Sequence, residues 1–188
     1  NWVSSYFCLM AIGAVVVPID KELPPDEIAG ILNFADCEYI IYSPVVEDKI
    51  REIRDRIPGI KTLICMGEPG IVEAVRLSDV VARGRERFNS GDNSYYEYKI
   101  DRERLATIVF TSGTTGKGKG VMLSQKNIVS DMTQGMYLFS ITRKTMNVLP
   151  PHHTFGSTVN FTGHYAQGSE VYISSGLKYI ADEINAQQ

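Results

Sequence analysis

The sequence contains little cysteine and no excess of basic residues. Its 188 residues include three cysteines, which lie in apolar surroundings without the spacing of a metal site: Cys8, Cys37 and Cys65. We interpret them as small buried residues of a protein from a reducing compartment, and therefore predict a cytoplasmic location. The 19 lysines and arginines are balanced by 22 aspartates and glutamates, and the net charge of −3 gives no indication of a nucleic-acid partner.

Charge is absent from one long stretch, residues 2–19, so a membrane-spanning helix has to be considered. The stretch is at the lower limit of length for such a helix, and it has no basic flank. Gly13 and Pro18 divide it into a helix-like first half and a β-branched second half. We predict a buried helix followed by a buried strand over residues 15–19, with no transmembrane segment. Peripheral contact with a membrane stays open.

Two features of the ends indicate a piece of a longer chain. The sequence begins without an initiator methionine, directly on a hydrophobic segment, and it ends on the polar stretch ADEINAQQ. Hydrophobic residues make up 44% of the chain and charged residues 22%, which is ordinary for a globular domain. We therefore expect residues 1–188 to form a single partial domain with a sizeable core.

Short apolar runs alternate with amphipathic patterns along the chain. The runs predict strands at residues 38–43, 61–66, 105–110 and 145–150, with a further strand in SEVYIS. Because strands that alternate with helices form mostly parallel sheets, the predicted fold class is α/β, with a mostly parallel sheet flanked by helices.

Four patterns predict the main helices. The first begins at Pro25, because proline suits the first helical turn, and the second spans residues 46–57. The third covers residues 78–88 with Ser78 as its cap, and the fourth runs from Ser124, another cap, towards Phe139. The residues expected to be buried on the second and fourth helices are Val46, Ile50, Ile53, Ile57, Ile128, Met132 and Met136.

The most informative stretch is TSGTTGKGKG, residues 111–120, which follows an apolar run. Glycines let an anion approach the backbone, hydroxyls donate to phosphate oxygens, and lysine supplies a positive charge. Gly113 to Lys119 fit the first seven positions of the P-loop of nucleotide triphosphatases, but Gly120 replaces the hydroxyl residue that holds magnesium. VML then predicts a strand instead of a helix. We favour a phosphate-binding flap between two strands; a P-loop and a solvated surface hairpin are the alternatives.

The stretch LATIVFTSGTTGKGKGVMLSQKNIV resembles the signature loop of the adenylate-forming (AMP-binding) superfamily. That group includes acyl-CoA synthetases, adenylation domains of peptide synthetases and luciferases. Residues 110–121 match the family pattern, with Gly118 in place of the usual proline. LMAIGAVVVPID and LPPHHTFGST resemble two further family motifs in the same order. The PHHTFG and KNIV segments are most similar to those of long-chain fatty-acid CoA ligases.

This resemblance implies that the chain is part of the large N-terminal domain of an acyl-CoA synthetase-like enzyme. The full-length parent is then an acid–thiol ligase that joins a carboxylic acid, expected to be a long-chain fatty acid, to ATP with release of pyrophosphate. The thiol of coenzyme A next displaces AMP from the acyl-adenylate. The implied partners are small molecules: ATP with Mg²⁺, the fatty acid and coenzyme A.

The same resemblance assigns the site residues. Six residues of the loop are expected to wrap the β- and γ-phosphates of ATP: Thr111, Ser112, Gly113, Thr114, Thr115 and Gly116. Thr111 also helps to hold Mg²⁺, and Lys119 supplies the positive charge. His153 stands at the family's histidine position, and Lys119 and His153 are the predicted catalytic residues; a structural role is the equal alternative for His153. The predicted acyl pocket comprises His153, Phe155 and Gly156, although core packing is an equal interpretation of the last two.

Other basic residues receive a structural interpretation. His152 and His164 lack matching motif context, and Lys117 and Lys126 are either solvated or add to the positive field near the phosphates. The family's adenine-binding segment, acidic magnesium ligand, ribose-binding Asp and mobile lysine lie downstream of these motifs. We therefore expect residues 1–188 to be inactive alone. Two alternatives remain: an adenylation domain that loads a carrier protein, and a non-catalytic nucleotide-binding or scaffold domain.

Overall fold

The computed structural model describes residues 2–111, 119–138, 142–153 and 156–186. Within these ranges the strands form three small sheets, in the orders β1-β2-β3, β4-β5 and β6-β7. The first and third sheets are parallel, and the second is an antiparallel hairpin. The predicted α/β class with mostly parallel pairing is therefore confirmed.

The uncharged N-terminal stretch begins with helix α1, Trp2–Ala11, which buries Tyr6 and Met10. The helix ends before Gly13, whose φ of +75° suits glycine. The buried strand predicted over residues 15–19 is wrong: Val16 alone forms a described β-bridge, with Thr107, and Val15 is 45% exposed. Pro18 has no N–H and so cannot extend this pairing as a β-ladder.

The first sheet consists of β1 Tyr39–Tyr42, β2 Thr62–Cys65 and β3 Val75–Arg76. Helices α2 Pro25–Phe34 and α3 Glu47–Ile53 pack beside it, and single turns at Pro44–Val46 and Arg54–Arg56 flank α3. The buried residues here form the N-terminal core: Ile28, Ala29, Leu32, Tyr42, Ile50, Ile53, Ile57, Ile60, Leu63, Cys65 and Ile71. The predicted isoleucine face is confirmed, with Val46 only half-buried.

Helix α4, Leu77–Asn89, and the short helix α5, Ser94–Glu97, lead towards the hairpin. The predicted cap at Ser78 is wrong, because Arg76 occupies the cap position without a side-chain hydrogen bond. The preceding strand β3 ends at Arg76 and passes directly into the helix, which therefore begins one residue earlier than predicted. The Ser78 hydroxyl donates to Asp79 Oδ1 at 3.4 Å instead.

The hairpin pairs β4 Leu105–Thr111 with β5 Lys119–Ser124, and α6 Gln125–Leu138 follows. The cap at Ser124 is confirmed: the Asn127 N–H donates to Ser124 Oγ at 3.2 Å, and the Ser124 N–H donates to Asn127 Oδ1 at 2.9 Å. Of the three residues predicted to be buried on α6, Ile128 is buried and the two methionines are half-buried. Phe139 lies outside the described residues.

The third sheet pairs β6 Lys144–Asn147 with β7 Glu170–Ile173. A π-helix, Gly156–Gly163, and α7, His164–Ala166, connect its strands, and α8 Ile180–Ala186 closes the described part of the chain. Met132 and Met136 of α6 lie beside Gly163 of the π-helix, which covers only one side of them and explains their partial burial.

A second group of buried residues lies around the hairpin, and we call it the hairpin core: Tyr6, Met10, Ala106 and Ile128.

The cysteines do not share one environment, because Cys65 is buried and Cys37 half-buried, whereas Cys8 is exposed, against prediction. Cys8 lies on α1, on the face turned away from the buried Tyr6 and Met10.

Among the described residues, every helix is too short or too polar to cross a lipid bilayer.

Candidate functional site

The glycine-rich loop begins and ends on adjacent strands. Thr111 and Lys119 are the last residue pair of the hairpin register, and both are exposed. The two predicted phosphate-binding residues that the structure describes therefore stand side by side. The other residues predicted for this loop lie outside the described residues: Ser112, Gly113, Thr114, Thr115, Gly116, Lys117 and Gly118.

The element that follows Lys119 decides between two phosphate-binding architectures. A P-loop continues directly from its lysine into a helix whose N-terminus faces the anion. Here Lys119 begins strand β5, and α6 starts only at Gln125. The P-loop alternative is therefore wrong, and the prediction of a loop between two strands is confirmed.

Gly120 has a packing function in the hairpin. A Cβ atom at this position would lie 2.9 Å from Ile108 Cγ2 and 3.4 Å from Phe110 Cζ, so a larger residue would displace both side chains. The Phe110 ring also meets Phe34 of α2 edge to face, with 6.0 Å between the ring centroids. Glycine at position 120 therefore lets Phe110 lie across the hairpin.

A buried hydroxyl links the hairpin to the segment that contains His153. Tyr6 is 6% exposed, and the side chains of Thr107 in β4 and Ser157 in the π-helix lie near its hydroxyl. Burial raises the pKa of Tyr6, and hydrogen bonding with these two side chains opposes that rise. Thr107 Oγ1 in turn donates to the Val16 carbonyl at 2.7 Å. The two motifs that flank the candidate site are thus joined through α1.

His153 has an exposed side chain on an anchored backbone. Its N–H donates to the Pro150 carbonyl at 3.2 Å, and its carbonyl accepts the Ser157 N–H at 2.9 Å and the Ser157 hydroxyl at 3.2 Å. Gly156 is buried, and a Cβ there would lie 2.5 Å from the Pro150 carbonyl oxygen. Close backbone approach thus explains Gly156; its role in an acyl pocket stays a prediction. Phe155 lies outside the described residues.

His152 points away from solvent, towards Asp20. Its Nε2 lies 3.4 Å from Asp20 Oδ2, and its ring centroid is 4.5 Å from that of His153. Burial lowers the pKa of His152 and the neighbouring His153 acts in the same direction, while Asp20 raises it. No sequence motif assigns a role to Asp20 or Tyr6. Asp20 does close the VVVPID motif, but no sequence pattern pairs it with a histidine 132 positions away.

Lys126 forms a salt bridge with Glu103. Its Nζ donates to Glu103 Oε1 at 2.7 Å, and this exposed contact raises the pKa of Lys126. His164 lies in α7, where its carbonyl accepts the Ser169 N–H at 3.0 Å. Both residues therefore have local structural contacts.

A sequence model of the AMP-binding enzyme family matches residues 1–186. The chain belongs to the AMP-binding enzyme family. The predicted membership of the adenylate-forming superfamily is thereby confirmed. A curated relative, long-chain-fatty-acid–CoA ligase 5 of Rattus norvegicus, is 29% identical over an alignment of 205 positions, gaps included. The alignment covers 99% of this chain and 29% of the relative.

Two solved structures share the fold of this AMP-binding chain. A protein from Rhodopseudomonas palustris CGA009, assigned as a long-chain-fatty-acid CoA ligase, superimposes with a TM-score of 0.78 at 17% identity, covering 99% of this chain and 45% of that one. ATP-bound MatB from Rhodopseudomonas palustris superimposes with a TM-score of 0.73 at 24% identity, covering 96% and 34%. The chain thus spans less than half the length of these proteins.

The donor set near the hairpin suits a hard cation held mainly by its nucleotide. The described residues contain no group of three or more His, Cys, Asp or Glu side chains that could hold a metal ion. Mg²⁺ prefers oxygen ligands and usually binds through one or two protein groups together with substrate phosphates. The exposed Thr111 hydroxyl fits such a single protein ligand in an AMP-binding enzyme.

Proposed function

We propose that the full-length protein carrying this chain activates a long-chain fatty acid with ATP and transfers the acyl group to coenzyme A. The observation that carries the proposal is the hairpin, which presents Thr111 and Lys119 side by side at the two ends of a glycine- and hydroxyl-rich loop. The fatty acid as substrate is supported by the rat relative, which is a long-chain-fatty-acid–CoA ligase, and by the PHHTFG segment.

The first step brings two anions together. A carboxylate oxygen of the fatty acid attacks the α-phosphorus of ATP, the α–β phosphoanhydride bond breaks, and pyrophosphate leaves. The phosphate charge must be neutralised for this attack, and preorganised donors in the loop do so at little reorganisation cost. Lys119 supplies a fixed positive charge, while the hydroxyls and amides of residues 111–116 wrap the β- and γ-phosphates.

When bound, Mg²⁺ withdraws negative charge from the phosphate oxygens and so favours attack on phosphorus. Thr111 would be its protein ligand within this chain. In the second step the coenzyme A sulfur attacks the acyl carbonyl, the bond to AMP breaks, and the thiol proton passes to solvent. His153, together with Phe155 and Gly156, borders the acyl group during both steps.

A pyrophosphate-exchange assay on the full-length protein tests this proposal. The panel contains fatty acids of increasing chain length, amino acids and a control without acid, each with ATP and Mg²⁺. We expect exchange driven by fatty acids, followed by thioester formation when coenzyme A is added.

The other outcomes separate the competing functions. Exchange driven by amino acids would contradict the proposal and indicate an adenylation domain that loads a carrier protein. ATP binding without exchange for any acid would indicate a non-catalytic nucleotide-binding domain. We also propose that residues 1–188 are a partial domain that forms no acyl-adenylate alone.

A further inference from the structure

Asp20 is held in one orientation by backbone N–H groups of the turn that follows it. Its Oδ1 accepts the Glu22 N–H at 2.9 Å, and its carbonyl accepts the Leu23 N–H at 3.3 Å. This turn leaves Oδ2 directed at His152 Nε2, 3.4 Å away. The carboxylate is two-thirds buried, with 33% of its side chain exposed. Asp20 therefore presents one fixed oxygen to the histidine pair.

His152 connects that oxygen to His153. Its side chain is 17% exposed, and its Nε2 atom is fully shielded from solvent. Within the described residues Nε2 makes no hydrogen bond, and its polar neighbour is Asp20 Oδ2, 3.4 Å away. The other neighbour of the ring is the exposed imidazole of His153, inclined at 43° to it. The described contacts of His153 otherwise involve its backbone.

We propose that Asp20 and His152 are a positioning pair that holds the imidazole of His153 in its working orientation. This inference rests on the proposed role of His153 beside the acyl-adenylate. An exposed imidazole has several accessible rotamers, and packing against a neighbour that is itself held in place reduces their number. Asp20 acts on His152, and His152 acts on His153, so neither residue needs to touch the substrate.

The pair also has a titration signature. The charged and titratable groups that face His152 in the described residues are Asp20 and His153. An anionic Asp20 favours the protonated form of His152, so Asp20→Asn should lower the pKa of His152 further.

The experiment compares Asp20→Asn with Glu22→Gln in the full-length protein. Both changes remove one carboxylate from the same turn, but Glu22 is 75% exposed and contacts Lys21, not His152. Acid-driven pyrophosphate exchange is measured as kcat, as KM for ATP and as a pH profile. We expect Asp20→Asn to lower kcat by about tenfold with little change in KM, as a small misplacement of a reacting group does. Glu22→Gln should match the wild type.

A second background separates positioning from general stability. In a His153→Ala protein, Asp20→Asn should cause no further loss of kcat, because the group it positions is gone. His152→Gln, which keeps an amide donor towards Asp20, should retain more activity than His152→Ala. An equal loss from Asp20→Asn with and without the His153 imidazole would overturn the proposal.

An NMR titration of the histidine ring nitrogens needs no activity. Asp20→Asn should lower the pKa of His152 further, and an unchanged His152 titration would overturn the pair. If Asp20→Asn does not fold, His152→Gln is used in its place, and its loss of kcat should disappear in the His153→Ala background. A wild type without acid-driven exchange would refute the proposed function, while the titrations would still decide on the pair.

Discussion

The N-terminal core and the hairpin core differ in size, with eleven buried residues against four in the described part of the chain. In the N-terminal core Ile53, Ile57 and Cys65 are 0% exposed and Leu63 is 1% exposed. The four residues of the hairpin core are between 2% and 8% exposed, and the predicted site residues Thr111, Lys119 and His153 are exposed beside them. The predicted site residues are thus exposed, in contrast to the buried residues of both cores.

Polar side chains also serve different purposes in the two regions. Beside the N-terminal core, Glu47 is 12% exposed and accepts hydrogen bonds from Tyr42 at 3.2 Å, Gly70 at 2.9 Å and Arg51 at 3.1 Å. These contacts join neighbouring structural elements. Tyr6, a member of the hairpin core, and His152 contact the segments that carry predicted site residues. The difference shows where a substitution should affect folding and where it should affect chemistry.

The largest effect should come from the N-terminal core. Ile57→Ala removes a side chain that is 0% exposed, and it should lower the free energy of unfolding by about 2–5 kcal/mol. Urea denaturation of the full-length protein measures this. Val72→Ala is the matched control, because Val72 is 99% exposed and its truncation should change little. Equal effects for the two variants would refute the contrast in burial.

Lys119→Met should affect catalysis without affecting the fold. Lys119 is exposed, and loss of one charge-stabilising donor should lower the rate of acid-driven exchange by about 10²–10³-fold. Lys126→Met is the control, since Lys126 lies just beyond the same hairpin and is paired with Glu103. The rate of acid-driven pyrophosphate exchange and the thermal unfolding temperature are measured together. A loss of stability with an unchanged exchange rate would show that the role of Lys119 is structural.

Gly120→Ala should show that the hairpin itself tolerates little added volume beside Ile108. The new methyl group would lie 2.9 Å from Ile108 Cγ2, and such overpacking should cost about 1–3 kcal/mol. Gly84→Ala in α4 is the control, since no atom lies within 4 Å of its Cβ position, and alanine should stabilise that helix by about 0.5–1 kcal/mol. In urea denaturation, Gly120→Ala should lower the free energy of unfolding and Gly84→Ala should raise it.

Tyr6→Phe should weaken the link between β4 and the His153 segment. The change removes a hydroxyl shared with Thr107 and Ser157, and it should cost about 1 kcal/mol in unfolding free energy. Tyr96→Phe is the control, because Tyr96 is 71% exposed. Hydrogen exchange of the β4 amides should be faster only in Tyr6→Phe. Unchanged protection would show that the hydroxyl does not couple the two segments.

The smallest effect should appear in the pH dependence of stability. Burial lowers the pKa of His152, so its neutral form stabilises the fold above the unfolded pKa of about 6.5. That contribution is lost as the pH falls below 6.5 through the folded pKa. His152→Gln should therefore flatten the fall of the urea midpoint between pH 7 and pH 5. A fall as steep as that of the wild type would contradict the assignment.

Local patterns were predicted well where neighbours in sequence decide the structure. The helix from Pro25, the cap at Ser124 and the strands on either side of the glycine-rich loop follow from residues within a few positions of one another. The predictions that failed concern residues whose environment is set from elsewhere: the strand over residues 15–19, the cap at Ser78, the full burial of Met132 and Met136, and the burial of Cys8.

The sequence by itself determined the family, the order of its motifs and the strand-to-strand position of the glycine-rich loop. These properties depend on residue identity and on short spacings, because glycines, hydroxyl side chains and lysines act through local chemistry. Tertiary structure alone decided that Asp20 meets His152 and that Tyr6 joins Thr107 to Ser157. Such contacts form only when packing of the helices and sheets brings together polar atoms from segments that are far apart in the chain.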